Sequence, residues 1–402
     1  MYNCIICRYH EIATKGDNRA MFEGKLMENI MLQIKNINDA SVYRVRGRVF
    51  VRKTDKSPFS DDELEVIRTG LPKVFGLESF SPALECDKDA KQIFEAVEKT
   101  AKDVFDRHYS KGKAKVSFGV RARRSDKSFP LRSKQIEITT AEIIEKLFSM
   151  ERLSVDLMHP DVWIGIEVRE QNSFIYYDVY DGPGGLPVGS NSPVLALLSG
   201  GIDSPVACYM AMKRGCHVDY LTFHSHPYTT MASVEKVTRI AAMLNTYQIP
   251  GKLHSCNLAP IQKMIRDLCT PKYRTVLYRR MMLRVGEGVC KKEKLYAMVT
   301  GESVGQVASQ TIVNLATINA ASSMLVLRPM LGMDKRESIR FAEKIGTYTT
   351  SIEPVPDSCT VFAPPSPSVA AKLHSVEEEE TRLGDWKAII EQIVESIEII
   401  QP

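Results

Sequence analysis

Apolar and polar positions repeat along this chain in two ways, which predict different kinds of sheet. Near the N-terminus, Cys4–Arg8 alternates as a strand does, and apolar positions at Phe22, Leu26 and Ile30 follow with helical spacing. Further along, short continuous apolar runs such as Val194–Leu198 alternate with helical stretches. Continuous runs are typical of strands buried in parallel sheets. The sequence therefore predicts an α/β protein in which a small α+β part precedes a doubly wound parallel-sheet domain.

Breaks in these patterns divide the chain into three predicted regions. Residues 1–74 and residues 75–170 each combine strand and helix patterns, and residues 171–402 alternate strands with helices. A stretch rich in glycine and proline at residues 181–187 predicts a loop or linker. The predicted strands after it are Val194–Leu198, Val218–Phe223, Lys252–His254 and Leu295–Thr300. Ligands bind at the carboxyl ends of strands in such sheets, so the loops that follow these strands are the candidate binding loops.

Two patterns near the N-terminus each allow a structural and a functional interpretation. Cys4 and Cys7 have the spacing of a metal or redox pair, but a strand places them on opposite faces, and we expect a plain strand. In residues 44–52 a period of two places four arginines on one face, namely Arg44, Arg46, Arg48 and Arg52. Such a row could follow a nucleic-acid backbone or form a solvated sheet face.

The composition argues against a membrane-spanning protein, a secreted disulfide-rich protein and a protein with a resident metal centre. The 402 residues have a hydrophobic fraction of 44%, and no apolar run is long enough to span a bilayer. The N-terminal residues lack the basic, apolar and cleavage regions of a signal peptide, so we expect a cytoplasmic protein. Nine irregularly spaced cysteines indicate no disulfide framework. His224 and His226 have no cysteine or carboxylate at ligand spacing, and we expect no resident metal centre.

The net charge of +4 is modest, but its distribution is uneven. Between Lys111 and Lys134 there are nine basic residues and one acidic residue, Asp126, with Phe118 and Phe129 among them. Basic residues interleaved with aromatic ones are typical of grooves that bind single-stranded or helical RNA, although a charged loop can also simply be solvated. The residues predicted to contact RNA are Arg121, Arg123, Arg124, Lys127, Arg132 and Lys134.

The most informative stretch follows the apolar run Val194–Leu198 and reads Ser-Gly-Gly-Ile-Asp-Ser from Ser199 to Ser204. Its glycines permit unusual backbone angles, Ser204 can cap a helix, and Pro205 suits the first turn of that helix. Free N–H groups and the helix dipole at such a turn favour a bound phosphate. Neither a Walker loop nor a dinucleotide fingerprint is present, and the alternative is an ordinary strand-to-helix turn.

This loop resembles the pyrophosphate loop of the ATP pyrophosphatase superfamily, whose members cleave ATP between its α and β phosphates and transfer AMP to an oxygen. Residues 121–130, with the stretches 155–157 and 160–164, resemble a THUMP domain, which in RNA-modifying enzymes holds the acceptor end of tRNA. The order of a ferredoxin-like unit, a THUMP domain and a pyrophosphate-loop domain resembles the tRNA 4-thiouridine synthases of the ThiI type over essentially the whole chain. The resemblance is to the form without a C-terminal rhodanese domain.

The resemblance implies an ATP site, with Mg²⁺ as a cofactor, that is built by the loops after the predicted strands. Its implied residues are Leu197, Leu198, Ser199, Gly200, Gly201, Asp203, Ser204, Thr222, Phe223, Arg279, Gly301 and Gln310, with Arg280 as an alternative to Arg279. Asp203 is also implied to hold magnesium or orient the phosphates, and Lys335 to meet developing negative charge. Cys359, the implied persulfide carrier, stands in a proline-rich stretch that favours an exposed and reactive thiol.

The implied reaction transfers AMP from ATP to O4 of uridine 8 in tRNA and then replaces that oxygen by sulfur from the persulfide. The implied partners are tRNA, a cysteine desulfurase and a second copy of the chain in a homodimer, and some relatives also serve thiazole synthesis for thiamine. Two other classes stay open. An amide-forming ATP pyrophosphatase acting on a small molecule would not need the basic N-terminal half. A non-catalytic tRNA-binding protein would not need Asp203, Gln310 and Cys359 together.

Overall fold

The structure is a computed structural model that describes residues 1–45, 47–355 and 362–402. These residues fold into two compact units, Met1–Leu186 and Pro187–Pro402, and each is described by itself. The sequence predicts a boundary at residue 170, whereas the first unit continues to Leu186. The reason is that two further strands, Asn172–Tyr176 and Tyr180–Asp181, pair with a strand of the first sheet.

The first unit is built around a mixed sheet with helices on one face. Its strands are β1 (Cys4–Arg8), β2 (Ala40–Val45), β3 (Arg48–Lys53), β4 (Ser79–Asp87), β5 (Val116–Arg124), β6 (Leu153–Val155), β7 (Val162–Val168), β8 (Asn172–Tyr176) and β9 (Tyr180–Asp181). Its helices are α1 (Arg19–Gln33), α2 (Asp61–Gly70), α3 (Ala90–Ser110) and α4 (Ser133–Leu147). The strand order is β2-β3-β1-β4-β8-β7-β5-β6, with β9 beside β4. The helices bury their apolar stripes against this sheet.

Strand β1 settles the interpretation of its two cysteines. Cys7 packs into the cluster formed with the helices, and Cys4 packs into a second cluster with Ile6, Phe50 and Phe174. Successive residues of a strand point to opposite faces, so residues three apart in sequence lie on different sides of the sheet. The expected plain strand is confirmed, and the two thiols cannot act as a pair across the sheet.

The predicted row of four arginines is wrong, because a hairpin interrupts it. Arg44 lies near the end of β2 and Arg48 begins β3, while Arg46 lies outside the described residues. Arg44 donates to Glu23 of α1 on the helix side of the sheet, at 3.2 Å. Arg48 pairs instead with Glu167, a buried carboxylate of β7, at 3.6 Å. Periodicity alone could not reveal the turn, since the alternation continues through it.

The second unit is the predicted doubly wound domain, and the α/β fold class is confirmed. Its strands are β10 (Val194–Leu197), β11 (Val218–His224), β12 (Leu253–Asn257), β13 (Met298–Val299), β14 (Val326–Leu327) and β15 (Glu398–Ile400). Its helices are α5 (Asp203–Lys213), α6 (Ala232–Leu244), α7 (Ala259–Leu268), α8 (Arg274–Glu293), α9 (Ile312–Asn319), α10 (Lys335–Lys344), α11 (Tyr348–Ser351), α12 (Leu373–Thr381) and α13 (Trp386–Glu395).

The strand order of this sheet, β14-β13-β10-β11-β12-β15, determines where a ligand can bind. All neighbours are parallel except β15, which is antiparallel to β12. From β10 the chain proceeds to β11 and β12 on one side and then returns to β13 and β14 on the other. The switch point between β10 and β13 leaves a crevice at the carboxyl ends of these strands. No helix among the described residues has both the length and the apolar character that crossing a membrane requires.

Candidate active site

A cavity of about 440 Å³ opens at the switch point between β10 and β13. The loop Ser199–Ser204 forms one wall, the end of β11 contributes Thr222 and Phe223, and the segment after β13 contributes Thr300–Glu302. All twelve residues that the sequence assigns to ATP lie in the lining of this cavity. The assignment of these residues to ATP stays a prediction, but the structure brings them together from five separate parts of the chain.

The phosphate loop is held by its own two serines. The N–H of Ser199 donates to Oγ of Ser204 at 2.9 Å, and Oγ of Ser204 donates back to the carbonyl of Ser199 at 3.2 Å. The sequence predicts Ser204 as the helix cap, whereas α5 begins at Asp203 and the position before it is Ile202. Ser204 lies inside the first turn, where its hydroxyl closes the loop instead. Among the described residues no side chain caps α5, so its first N–H groups have no side-chain acceptor and are available to an anion.

Gly301 is required by close packing between the two walls. A Cβ at this position would lie 2.6 Å from the backbone N of Ser204 and 2.7 Å from its Cα. Neither atom can move without displacing the start of α5, so any larger residue would push the phosphate loop away from β13. Gly301 therefore determines how closely the segment after β13 can approach the start of α5.

Asp203 and Lys335, two of the three predicted catalytic residues, form an ion pair beside the loop. Nζ of Lys335 lies 3.1 Å from Oδ2 of Asp203, and Nε2 of Gln306 donates to the same oxygen at 2.9 Å. Lys335 is the first residue of α10, which Asp334 caps through a capping box. The third predicted catalytic residue, Cys359, lies outside the described residues.

Arg279 is directed into the cavity by a buried carboxylate that sequence reasoning missed. Glu302, 6% exposed, accepts from Arg279 at 2.8 Å, from Arg328 at 2.8 Å and from the hydroxyl of Thr300 at 2.9 Å. Arg280 points elsewhere: it is 1% exposed and pairs with Glu380. The geometry therefore favours Arg279 as the predicted nucleotide contact, since the guanidinium of Arg280 is fully engaged away from the cavity.

Several lining residues end in polar atoms without a partner among the described residues. They are Oε1 of Gln310, Oγ of Ser233 and Oγ of Ser351. Buried polar atoms are normally hydrogen-bonded, so polar atoms without a hydrogen-bond partner in a cavity wall indicate a polar ligand. Ser233, Ser351 and the buried Lys236 were not predicted. One signal was available: Lys236 falls on the face of α6 that otherwise carries Val234, Val237 and Ile240, and a lysine on a core-facing stripe is unusual.

The residues predicted to contact RNA all lie in the first unit, on β5, on the segment that follows it and in the first turn of α4. Arg121 and Arg123 are exposed on one side of β5, and the guanidinium of Arg121 stacks on Trp163 at 3.9 Å. Arg124 points to the other side and donates to the carbonyl of Phe129 at 3.0 Å. Exposed basic residues continue through Lys127, Arg132 and Lys134.

The aromatic part of the RNA prediction is wrong. Phe118 is 1% exposed and Phe129 is 5% exposed, and both belong to the core of the first unit. Base stacking needs an accessible ring face, which neither residue offers. Because aromatic residues in a basic stretch also occur as ordinary core residues, the sequence pattern could not separate the two cases.

The eight cysteines that the structure describes are poor sources of thiolate. Seven are buried and Cys86 is half-buried. Burial raises the pKa of Cys7, Cys86, Cys256 and Cys290 to about 12 and that of Cys269 to about 11. Burial likewise raises the pKa of the remaining three, Cys4, Cys208 and Cys216. Cys208 and Cys216 are core residues, as expected.

Three stretches of the chain match known families. Residues 4–81 match the ThiI ferredoxin-like domain, and residues 91–178 match the THUMP domain. Residues 189–384 match the family described as "Thiamine biosynthesis protein (ThiI)". These matches follow one another in the order that the sequence predicts.

Relatives and a solved structure extend the similarity over the whole chain. A protein of Thermoanaerobacter pseudethanolicus named "Probable tRNA sulfurtransferase" is 38% identical over 399 residues, which cover 99% of this chain and 100% of the relative. One of Alkaliphilus metalliredigens with the same name is 40% identical, with coverages of 99% and 98%. The crystal structure of a 4-thiouridine synthetase in complex with RNA and bound ATP is 34% identical and has a TM-score of 0.88, covering 100% of this chain and 99% of that one.

Proposed function

Since this chain belongs to the ThiI family of tRNA sulfurtransferases, we propose that it uses ATP to convert uridine 8 of tRNA into 4-thiouridine. The observation that carries this proposal is the cavity at the switch point. It unites the phosphate loop, the uncapped start of α5 and all twelve predicted ATP residues. A small-molecule amide synthase would share this cavity, but the basic strand and loop of the first unit support an RNA substrate.

The reaction needs activation because oxide is a poor leaving group. O4 of the uridine attacks the α-phosphorus of ATP, the bond to the β-phosphate breaks, and pyrophosphate leaves. The outer sulfur of the Cys359 persulfide then attacks C4, and the former O4 departs as part of AMP. A second thiol, which the cysteine of the assay can supply, then attacks Sγ of Cys359 in the resulting disulfide, so that 4-thiouridine is released and Cys359 is left in a mixed disulfide with that thiol. Donors fixed where negative charge develops lower the barrier for the first two steps. In the proposed complex the amides of Ser199–Ser204 hold the phosphates, and Arg279 is held by Glu302 to meet their charge. The adenine lies between Leu197–Leu198 and Thr222–Phe223.

Magnesium fits this site through one protein ligand. Among the described residues no group of three or more histidine, cysteine, aspartate and glutamate side chains is placed to hold a metal. Magnesium in nucleotide sites is commonly bound by one or two carboxylates, water and substrate phosphates, which Asp203 can satisfy. When bound, the ion would supply charge neutralisation for the departing pyrophosphate. Lys335, now paired with Asp203, would remain close enough to share in that neutralisation.

Cys359 is the proposed carrier of the persulfide, with a cysteine desulfurase as the donor of its sulfur. The support is chemical: burial raises the pKa of the thiols that the structure describes, so they offer little thiolate at neutral pH. In the proposed enzyme the two copies of a cytoplasmic homodimer bind tRNA through Arg121, Arg123 and the basic residues that follow β5. Residues 1–74 and 75–186 are proposed as its ferredoxin-like and THUMP domains and residues 187–402 as its catalytic domain, with the second boundary moved to the end of the first unit. The family's description also supports a second candidate role, sulfur supply for thiamine synthesis.

The decisive experiment combines the full chain with ATP, Mg²⁺, a cysteine desulfurase, cysteine and unmodified tRNA. We expect 4-thiouridine, measured by its near-ultraviolet absorbance and by digestion of the tRNA to nucleosides. Cys359→Ser should still release pyrophosphate in a tRNA-dependent manner but form no 4-thiouridine. Cys86→Ser, at a half-buried thiol of the first unit, is the matched control and should be fully active. Failure of the wild-type chain to thiolate tRNA would contradict the proposed function, and full activity of Cys359→Ser would contradict the role of that cysteine.

A further inference from the structure

We propose that Ser233, Lys236 and Ser351 form a subsite for the terminal phosphates of ATP and for the inorganic pyrophosphate released from it. This inference rests on the proposed function, because it names a second part of the same ATP site. The phosphate loop and the start of α5 lie on one side of this subsite, and α6 with the end of α11 lies on the other.

Lys236 provides the positive charge of the subsite. It is 5% exposed, lines the cavity, and its Nζ donates to the carbonyls of Ser351 and Glu353, each at 2.9 Å. Burying an ammonium group is costly unless nearby groups compensate its charge. The two carbonyls accept from its ammonium group, and the carboxylate of Glu353 lies close enough to attract it. An ammonium group held in this way in the cavity wall, beside the phosphate loop, is placed to make a charge-assisted hydrogen bond to an anionic ligand.

The position of Lys236 ties the subsite to the phosphate loop. A Cβ built on Gly200 would lie 3.1 Å from Cδ, 3.3 Å from Cε and 3.4 Å from Nζ of Lys236. The side chain thus runs along the loop at its glycine, and its charged end lies beside the loop backbone. Phosphates held by the loop amides would be in reach of the ammonium without rearrangement of either element.

Two hydroxyls complete the subsite and provide the independent indication of a ligand. Ser351 is 7% exposed and lines the cavity, yet its Oγ has no partner among the described residues. Oγ of Ser233, in the first turn of α6, is buried in the same lining and is equally without a described partner. The N-terminal turn of this 13-residue helix adds a favourable field for an anion. Two orphaned donors beside a buried cation match the acceptor-rich chemistry of pyrophosphate.

The test measures the binding of inorganic pyrophosphate, ATP and AMP to the full chain by titration calorimetry. The main variant is the double variant Ser233→Ala/Ser351→Ala, which removes only hydroxyls that are unpartnered in the described structure and so should not reduce stability. We expect its affinity for pyrophosphate and for ATP to fall about tenfold or more, and its affinity for AMP to stay within about twofold. Ser255→Ala is the matched control, because Ser255 is a buried serine of β12 with an orphaned hydroxyl that does not line the cavity.

A second variant, Lys236→Met, removes the charge at similar length and should weaken pyrophosphate and ATP binding by more than about thirtyfold. The double serine variant decides the question even if Lys236→Met fails to fold. Wild-type affinity for pyrophosphate in the double variant, or an equal loss for AMP and ATP, would overturn the subsite. A wild-type chain that binds no ATP would instead contradict the proposed function, so the two failures are distinguishable.

Discussion

Arg279 and Arg280 are adjacent on α8, but we expect their replacement by methionine to have opposite effects. Arg280→Met should destabilise the second unit and leave nucleotide affinity unchanged in the folded fraction. Arg279→Met should do the reverse. The difference follows from where the two guanidinium groups point: that of Arg279 lines the cavity, and that of Arg280 is buried against α12 and α9.

The cost of losing Arg280 can be worked out from its partners. Its Nε and Nη2 donate to the carboxylate of Glu380 at 2.7 and 3.0 Å, and its Nη1 donates to the carbonyl of Thr317. Breaking a buried ion pair costs about 3 to 5 kcal/mol, mostly because one charge is left uncompensated. Here Glu380 keeps Arg284, at 2.7 Å, so we expect the lower end, about 3 kcal/mol. The unpaired carbonyl of Thr317 contributes to that cost.

For Arg279 we expect a small loss of stability and a larger loss of ATP affinity. Its side chain is 25% exposed and makes one bond to Glu302, which keeps its bonds to Arg328 and Thr300 when Arg279 is removed. The expected loss of stability is below about 1 kcal/mol. A charge-assisted hydrogen bond to a phosphate contributes about 1.5 to 3 kcal/mol, so ATP affinity should fall about 10- to 100-fold.

Urea unfolding followed by tryptophan fluorescence measures the first effect, since Trp386 lies under the guanidinium of Arg284 at 3.9 Å. A Trp163→Phe background leaves Trp386 as the single tryptophan of the chain. A loss of about 3 kcal/mol corresponds to a midpoint lowered by about 1 to 2 M urea. Calorimetric titration with ATP measures the second effect. Wild-type stability of Arg280→Met, or wild-type ATP affinity of Arg279→Met, would refute this reasoning.

Three further predictions follow from single contacts. Arg121→Glu should weaken tRNA binding and lower the slope of log affinity against log salt by at least about 1, whereas Lys91→Glu, an exposed control on α3, should change the slope less. Gly301→Ala should lower ATP affinity at least about tenfold because its methyl group would meet the loop backbone at 2.6 Å, while Gly332→Ala, in open space, should bind normally. Burial lowers the pKa of His254 in the folded state below its unfolded value of about 6.5. The contribution of this histidine to the free energy of unfolding is therefore fully present above a pH of about 6.5. It is lost as the pH falls, because the unfolded chain then binds a proton that the folded chain does not. The urea midpoint should therefore drop between pH 7.5 and 5.5 less in His254→Gln than in the wild type.

The parts of the site that could be predicted are those that local sequence determines. A strand followed by glycines and a helix start builds its own anion site, so Ser199–Ser204 is visible in the sequence. Thr222 and Gly301 could be placed because Thr222 lies near the carboxyl end of one buried strand and Gly301 follows another, and parallel strands bring their carboxyl ends to one edge. Nothing in the local pattern of α8 could separate Arg279 from Arg280, since the choice depends on Glu380, which lies 100 residues further along.

The parts that could not be predicted are those that depend on tertiary contacts. Glu302 is identified as a positioning residue only by the two arginines and the threonine that bond to it. Lys236 is identified as part of the site only by its hydrogen bonds to two backbone carbonyls that lie 115 and 117 residues further along the chain. The errors have the same origin. Phe118 and Phe129 fit a stacking pattern but are enclosed by helices packed on the sheet, which sequence spacing does not report.

The balance of charge around the cavity supports a nucleotide over a neutral substrate. Among the residues that the structure describes, the cationic groups that line the cavity or bond directly to its lining are those of Lys236, Arg239, Arg279, Arg328 and Lys335. The carboxylates that they contact are those of Asp203, Glu302 and Glu353. Cations therefore exceed carboxylates by two among these groups, which is about the charge that ATP with one bound magnesium ion carries. A bound nucleotide of that negative charge would balance the excess of positive charge among these groups.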